Sequence, residues 1–493
     1  MGCAASAIED VEGEDEQKRL GVHPRKSIFR NSIISSIVSR EEKDEDGSDS
    51  ESDDSSLPAP SNEENQAREE EEKKQLICGT DVSVESVIEI LAQRFHKPLD
   101  PSTSWIAERL NNATATEAAY RSAVLRLTFG WDEHNVPSSY VLKVPVSREA
   151  REDEKAKQMY TKFKRECNTY EWVVNFKKII APDIFCIKKH QTESGGAMIL
   201  MQDLAERGTQ GSAREGLSVD LVRDLLKRLA LIHAQSRRDN SWISAVPDLP
   251  SSYYSSISNR YLDIREFFER HEVERSRLEA IKKYFTVEYL TKIVTDSADE
   301  LNIQKMLVHG QPFTSNVFHR DGNVIGIIDW STCHAGCFGE DVAKAICWNL
   351  SMKERIEHTS NLLEGYHVHL VRYAGNDFTV SFDLVRKAFD KFVPLAMVVL
   401  LHKVLKEQDD QHNEPLFERG RTLIQNVYSN DKLLADAEAE AVFHKMSTMS
   451  DGIDPKGTMA KKSDSSPTID IPPPNWNRVV HPNQVPQPEA TAP

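Results

Sequence analysis

Apolar and polar positions change their period several times along the chain, and those changes divide it. In GTDVSVESVIEILAQRF (79–95), Val84, Val87, Ile88 and Leu91 recur at helical spacing behind a cap of Thr80 or Asp81. Two β-rich runs follow, AVLRLTFGW (123–131) and SSYVLKVPV (138–146), joined by the turn-like DEHNVPS. The second run holds a single basic residue, Lys143. A charged helical stretch, KFKRECNTYEWVVNF, precedes another strand, GGAMILMQDL (195–204), and a helix, VDLVRDLLKRLALIHAQS (219–236). From there to about residue 445 the pattern is mainly helical, interrupted by a loop and strands at 308–330. Residues 7 to about 75 carry no such period. Their stretch EEKDEDGSDSESDDSSLPAPSNEENQAREEEEKK has almost no apolar residue and cannot offset its ordering entropy. The tail from 446 is Pro-rich and also predicted disordered.

Composition narrows the class. At 493 residues the chain has room for a two-lobed domain with tails. Its net charge of −17 argues against nucleic acid as a main partner, because phosphate backbones need basic faces. Seven scattered cysteines suggest a reducing intracellular compartment. No secretory h-region opens the chain, and the most apolar run, FVPLAMVVLL (392–401), is short of the roughly 20 residues a membrane span needs. The expectation is a cytoplasmic protein, peripheral on the cytosolic face of a membrane. The first residues, MGCAAS, supply the means: Gly2 and Ser6 fit the N-myristoylation pattern, and Cys3 is placed for palmitoylation. Two acyl chains hold stably where one gives only marginal binding. Lys18, Arg19, Arg25, Lys26 and Arg30 form the one short stretch attracted to an anionic leaflet. Ser27 and Ser32 follow basic residues, and Ser48, Ser50 and Ser52 sit among acids; these read either as phosphorylation sites or as parts of a solvated spacer.

A strand-rich small half, an apolar connector and a larger helical half with a polar loop predict an α+β, two-lobed, protein-kinase-like fold. Its segments are an acidic N-terminal region (1–78), a small N-lobe (79–203), a helical C-lobe (204–445) and a Pro-rich tail (446–493). Phosphoryl transfer in such folds needs few parts: a strand lysine on the phosphates, a helix glutamate orienting it, two oxygen ligands for Mg²⁺, and a loop aspartate for the substrate proton. The ordered motifs YVLKVP, FKRECNTY, ILMQDL, LIHAQS, VHGQPFTSN and IIDWSTCHAGCFGEDVAKAI resemble those of the choline kinase-like and aminoglycoside-phosphotransferase-like proteins, especially the CHK kinase-like branch. The match covers roughly residues 79–440, and LLEGYHVHL and FVPLAMVVL fit the family's late helices. The resemblance implies Lys143 as the phosphate-binding lysine, Glu166 as its ion-pair partner, and Asn316 and Asp329 as Mg²⁺ ligands. Asp329 also has a reason of its own, since a carboxylate after an apolar strand is poorly solvated unless a cation pairs with it. His309 reads as a brace for the loop. Asp341 reads either as an anchor for that loop or as a helix N-terminal charge. Cys333, His334 and Cys337 lack a fourth zinc ligand.

Two departures matter. Gln311 stands where the family carries its proton-accepting aspartate, and a neutral amide cannot take a proton near pH 7. The nucleotide-covering segment NNATATEAAYRSAVLRL has no glycine, so close backbone approach is less available. The expected function is therefore a membrane-anchored pseudokinase that binds a small-molecule alcohol or a protein partner, with ATP and Mg²⁺ as cofactors held more weakly. The alternative is an active ATP-dependent small-molecule kinase using another base or substrate-assisted chemistry. Asp321, in HRDGNV, looks like a hairpin-turn residue rather than that base, and Asp203 at the hinge like a residue of lobe geometry.

Overall fold

The computed structural model describes residues 76–111, 122–145, 154–190, 196–376, 378–407 and 414–450. The chain divides into two units, Met1–Asn65 and Gln66–Pro493, and every described residue belongs to the second. Gly2, Cys3, the N-terminal basic stretch and serines, and residues 112–121 of the glycine-free segment lie outside the described residues, as does the tail from 451.

The small lobe is built on helix α1 (Val84–Phe95) and an antiparallel sheet of β1 (Trp105–Arg109), β2 (Ala123–Phe129), β3 (Ser139–Val144), β4 (Ile184–Lys188) and β5 (Met198–Gln202). The strands run in the order β1-β2-β3-β5-β4. Period-two alternation sends Leu125 and Leu127, Tyr140, Leu142 and Val144, and Met198 and Leu200 into one core with Val84, Val87, Ile88 and Leu91 of α1. The same alternation turns Lys143 to the opposite face, toward helix α2 (Glu154–Val173). The α1 cap is neither Thr80 nor Asp81. Ser83 accepts from the Ser86 N–H at 3.3 Å, while the Thr80 hydroxyl is committed to Ile77 O at 2.7 Å. Strands β1 and β4 are absent from the sequence reading. Both are sheet edges in which no residue is fully buried: β4 is half-exposed throughout, and the alternation of β1 runs only between half-exposed and exposed positions.

After a 3₁₀ turn at Leu204–Glu206 and the short strand β6 (Thr209–Gln210), the large lobe opens with α3 (Val219–Arg238). Five shorter helices follow: α4 (Ser251–Ser258), α5 (Tyr261–Arg270), α6 (Arg275–Ile281), α7 (Val287–Thr295) and α8 (Ser297–Glu300). Strands β7 (Met306–Val308), β8 (Val317–Arg320), β9 (Asn323–Ile327) and β10 (His334–Gly336) frame the polar loop. Helices α9 (Gly339–Asn349), α10 (Met352–Ala374), α11 (Phe382–Lys406) and α12 (Glu414–Ser450) complete the lobe. Asp321 and Gly322 join β8 to β9 with φ of 51° and 77°, the left-handed pair that a two-residue hairpin turn requires. The run 392–401 lies in the middle of α11 and is core. Among the described residues no helix is long and apolar enough to cross a membrane. Helix α12 continues through Ser450, past the tail boundary expected at 446.

Candidate functional site

Three charged side chains from distant parts of the chain meet where the lobes face each other. Lys143 Nζ on β3 lies 2.5 Å from Glu166 Oε2 on α2 and 3.3 Å from Asp329 Oδ1 after β9. The cluster holds one ammonium and two carboxylates. Burial would lower the Lys143 pKa, and Glu166 and Asp329 reverse that and raise it. Burial pushes the Glu166 carboxyl up to about 7, Lys143 opposing and the Asp329 charge adding to the rise. Burial also pushes Asp329 upward, but Lys143, a Ser331 hydrogen bond and His309 pull it down to about 2. The difference follows from their partners: Asp329 has Ser331 and His309 besides Lys143, whereas the charge of Asp329 works against Glu166. The uncompensated negative charge therefore strains the buried member of the pair, and a cation at Asp329 would relieve it.

Asp329 has φ 63° and ψ 67°, a left-handed conformation that costs a non-glycine residue energy and persists where surrounding structure holds it. Asn316 ends a 3₁₀ turn (Thr314–Asn316) and is bound to the strand that delivers Asp329, because Ile328 N donates to Asn316 O at 3.0 Å. Its amide nitrogen donates to Gln311 O at 3.0 Å. Among the described residues its Oδ1 takes no hydrogen bond. One carboxylate and one amide oxygen suit Mg²⁺, which keeps waters and phosphate oxygens as its other ligands.

The loop itself is held from beneath. His309 N and Gly310 N donate to the two Asp341 carboxylate oxygens at 2.7 and 2.8 Å, and His233 Nε2 reaches the same group at 3.2 Å. Asp341 is thus an anchor of the loop, besides lying in the first turn of α9. Burial would raise its pKa, but His233, His309 and the loop N–H groups hold it below the usual carboxylate value. The fully buried His309 ring sits 3.1 Å from Ile328 O through Nε2 and accepts from Gln311 N through Nδ1 at 3.2 Å. It ties the loop to the Asp329 segment. Burial lowers its pKa, against the pull of Asp341 and Asp329. Gly310 has φ 81°, and a Cβ there would meet Thr332 O at 2.7 Å, so the His-Gly turn needs its glycine. Lys344 closes the underside, donating to Gly310 O at 2.8 Å and Glu340 Oε1 at 2.5 Å.

Gln311 follows this cradle. Lys403 Nζ on α11 makes a long contact of 3.4 Å with Gln311 Oε1, and the Tyr253 phenol, its pKa raised by burial, counts Gln311 among its hydrogen-bond partners. Asp203 lies elsewhere, at the hinge, accepting from Arg126 Nε at 2.6 Å, Ser139 Oγ at 2.7 Å and Ala205 N at 3.0 Å. Asp321 points to solvent, its side chain 91% exposed. Cys333, His334 and Cys337 each have other partners: Thr169 Oγ1 at 2.8 Å, Glu340 Oε2 at 3.1 Å and Gly339 N at 3.4 Å. Burial pushes both thiols up to about 12, far from the thiolate a metal needs. Sequence reading missed Lys403 and Arg165. The buried Arg165 guanidinium holds the carbonyls of Pro247, Ser331 and Asp248 at 3.3, 3.2 and 3.0 Å.

A five-stranded antiparallel lobe with a lysine–glutamate pair, set against a helical lobe whose loop ends in Asn316 and Asp329, has the two-lobed, kinase-like layout that the sequence predicts. The family model DUF1679, described as "Uncharacterized oxidoreductase dhs-27", matches residues 141–438, more than half of the chain, and the chain belongs to that family. That description names an oxidoreductase; in this sequence no two glycines stand one residue apart, so the G-x-G of a dinucleotide fingerprint does not occur in it. Among solved structures the chain is similar to choline kinase from Cryptosporidium parvum Iowa II, with 12% identity and a TM-score of 0.45 over 71% of this chain and 97% of that one. It is also similar to ethanolamine kinase from Plasmodium vivax, with 10% identity and a TM-score of 0.40 over 76% and 96%. A third is macrolide 2'-phosphotransferase MphH from Brachybacterium faecium, with 15% identity and a TM-score of 0.36 over 68% and 98%. No curated protein matches the sequence.

Proposed function

We propose that this protein is a lipid-anchored pseudokinase that takes Mg-nucleotide between its lobes and transfers phosphate poorly or not at all. Lys143 contacts phosphate oxygens with Glu166 orienting it, and Asn316 and Asp329 hold the metal, which supplies charge neutralisation on the phosphates. What supports the reading is one pairing: a charged triad assembled within 3.3 Å beside a loop that presents an amide at position 311. Gln311 matches aspartate closely enough for the loop to form but cannot accept a hydroxyl proton, a step worth about 10²–10⁴ in rate.

The test is a thermal-shift titration with ATP, with and without Mg²⁺. ATP stabilisation that requires Mg²⁺ is expected in the wild type. Lys143→Ala and Asp329→Asn abolish it, because both residues make charge-assisted contacts to the bound ground state. Gln311→Asp leaves it almost unchanged. Stabilisation indifferent to Lys143 and Asp329 places the nucleotide elsewhere. Turnover of choline-like, aminoglycoside or steroid alcohols at roughly 1–100 s⁻¹ refutes the catalytic part of the reading.

A further inference from the structure

Gln311 does not face solvent alone. The ammonium of Lys403 sits 3.4 Å from Gln311 Oε1, 4.7 Å from the Phe313 ring centroid and 5.8 Å from that of Trp348. The phenol of Tyr253 closes the group. Among the described residues no carboxylate lies within ion-pair distance of Lys403. Lys344, the other cation under this loop, is already neutralised by Glu340. Burial lowers the Lys403 pKa to about 8, with Lys406 and Lys344 adding to the fall and Asp329 and Glu407 acting against it. An ammonium that served packing alone would be replaced without loss by methionine, since burying an unpaired charge is costly. The side of the site where a hydroxyl-bearing ligand would approach Gln311 thus carries a positive charge, an amide and aromatic walls.

We propose that the second ligand of this site carries an anionic oxygen group, a carboxylate or a phosphate ester, that pairs with Lys403. A quaternary ammonium or amino-sugar is repelled from the same place. The inference rests on the nucleotide reading only in placing that ligand beside the nucleotide. Two sources can supply the anion: a separate small acid, or the terminal phosphate of the nucleotide itself. Lys403 lies on the Gln311 side of the loop, and Lys143 already serves the nucleotide phosphates. This favours the separate acid.

Thermal-shift and calorimetric titrations of the full chain distinguish these cases. The probes are glycerate, glycerol 3-phosphate, glycerol and choline, each alone, with Mg·ADP, and with a Mg-bound non-hydrolysable ATP analogue. Glycerate or glycerol 3-phosphate is expected to bind the wild type, and glycerol and choline are not. Lys403→Gln should weaken the anion by about tenfold or more, the loss of one charge-assisted contact, while Lys403→Arg retains it. Lys403→Met, which also removes the charge, serves if Lys403→Gln does not fold. The proposal is overturned if neither anion binds, if the charge-removing variant binds it as the wild type does, or if choline binds equally well. It is also overturned if Lys403→Gln weakens the ATP analogue alone. Anion binding that survives in Lys143→Ala while nucleotide binding is lost separates this site from the nucleotide reading, so each can fail without the other.

Discussion

Asp341 receives two backbone N–H groups and an imidazole in a fully buried position, and no other acceptor replaces it if it is removed. Asp341→Ala strands the His309 and Gly310 donors away from water, which at about 1–3 kcal/mol per unsatisfied group predicts a loss of about 3 kcal/mol or more. Asp341→Asn keeps one acceptor and should cost less. The pH dependence has a definite sign. Its folded pKa lies below the ordinary 3.8, so the stabilisation is present above that value and is lost as pH falls below it. Urea unfolding at pH 7 should separate wild type from Asp341→Ala, and the two should converge on acidification below about pH 4. A constant gap down to pH 3 would show that the carboxylate charge does not hold the loop.

Helix α2 couples the two sides of the site. One of its residues, Glu166, faces Lys143, and the preceding one, Arg165, grips carbonyls of the 247–248 segment and of Ser331, two residues past Asp329. Arg165→Met should lower unfolding free energy by about 2–4 kcal/mol by leaving buried carbonyls without donors. It should also weaken Mg-nucleotide binding, through misplacement of Glu166 and the Asp329 turn. Full stability in Arg165→Met would contradict the assignment. The sequence made Glu166 readable through F-x-x-E-x-x-x-Y, and Lys143 through a lone charge in an alternating strand. Arg165 was not legible, because an arginine in KFKRE reads as solvent-facing until tertiary contacts bury it. Lys403 was hidden differently. It follows the apolar run 392–401 near the C-terminus of α11, where basic residues are favoured by the helix dipole, and its meeting with Gln311 spans 92 positions. Edge strands β1 and β4 escaped because none of their residues is fully buried, and β1 even turns Ile106 to solvent, so neither carries the apolar alternation of a core strand.

At the scale of the whole molecule, the proposed membrane attachment depends on the first few residues. Among the described residues no helix can span a bilayer, and the chain's −17 charge would be repelled by an anionic leaflet. On the proposed reading the attraction comes from acyl chains at Gly2 and Cys3, helped by Lys18, Arg19, Arg25, Lys26 and Arg30. A single myristoyl chain gives an association constant of about 10⁴ M⁻¹, and a second chain makes the attachment stable. Gly2→Ala should therefore move the protein to the soluble fraction, since it removes the first chain and the weak membrane encounter on which the second modification depends. Cys3→Ser should leave a weak, reversible association that high salt reduces further, because salt screens the basic stretch but not the buried methylenes. The folded region 76–450, lacking both sites, should keep any nucleotide-dependent thermal shift while losing membrane association. Fractionation decides the matter: a Gly2→Ala protein that stays fully membrane-bound would remove acylation as the main determinant and shift attention to a protein partner at the membrane.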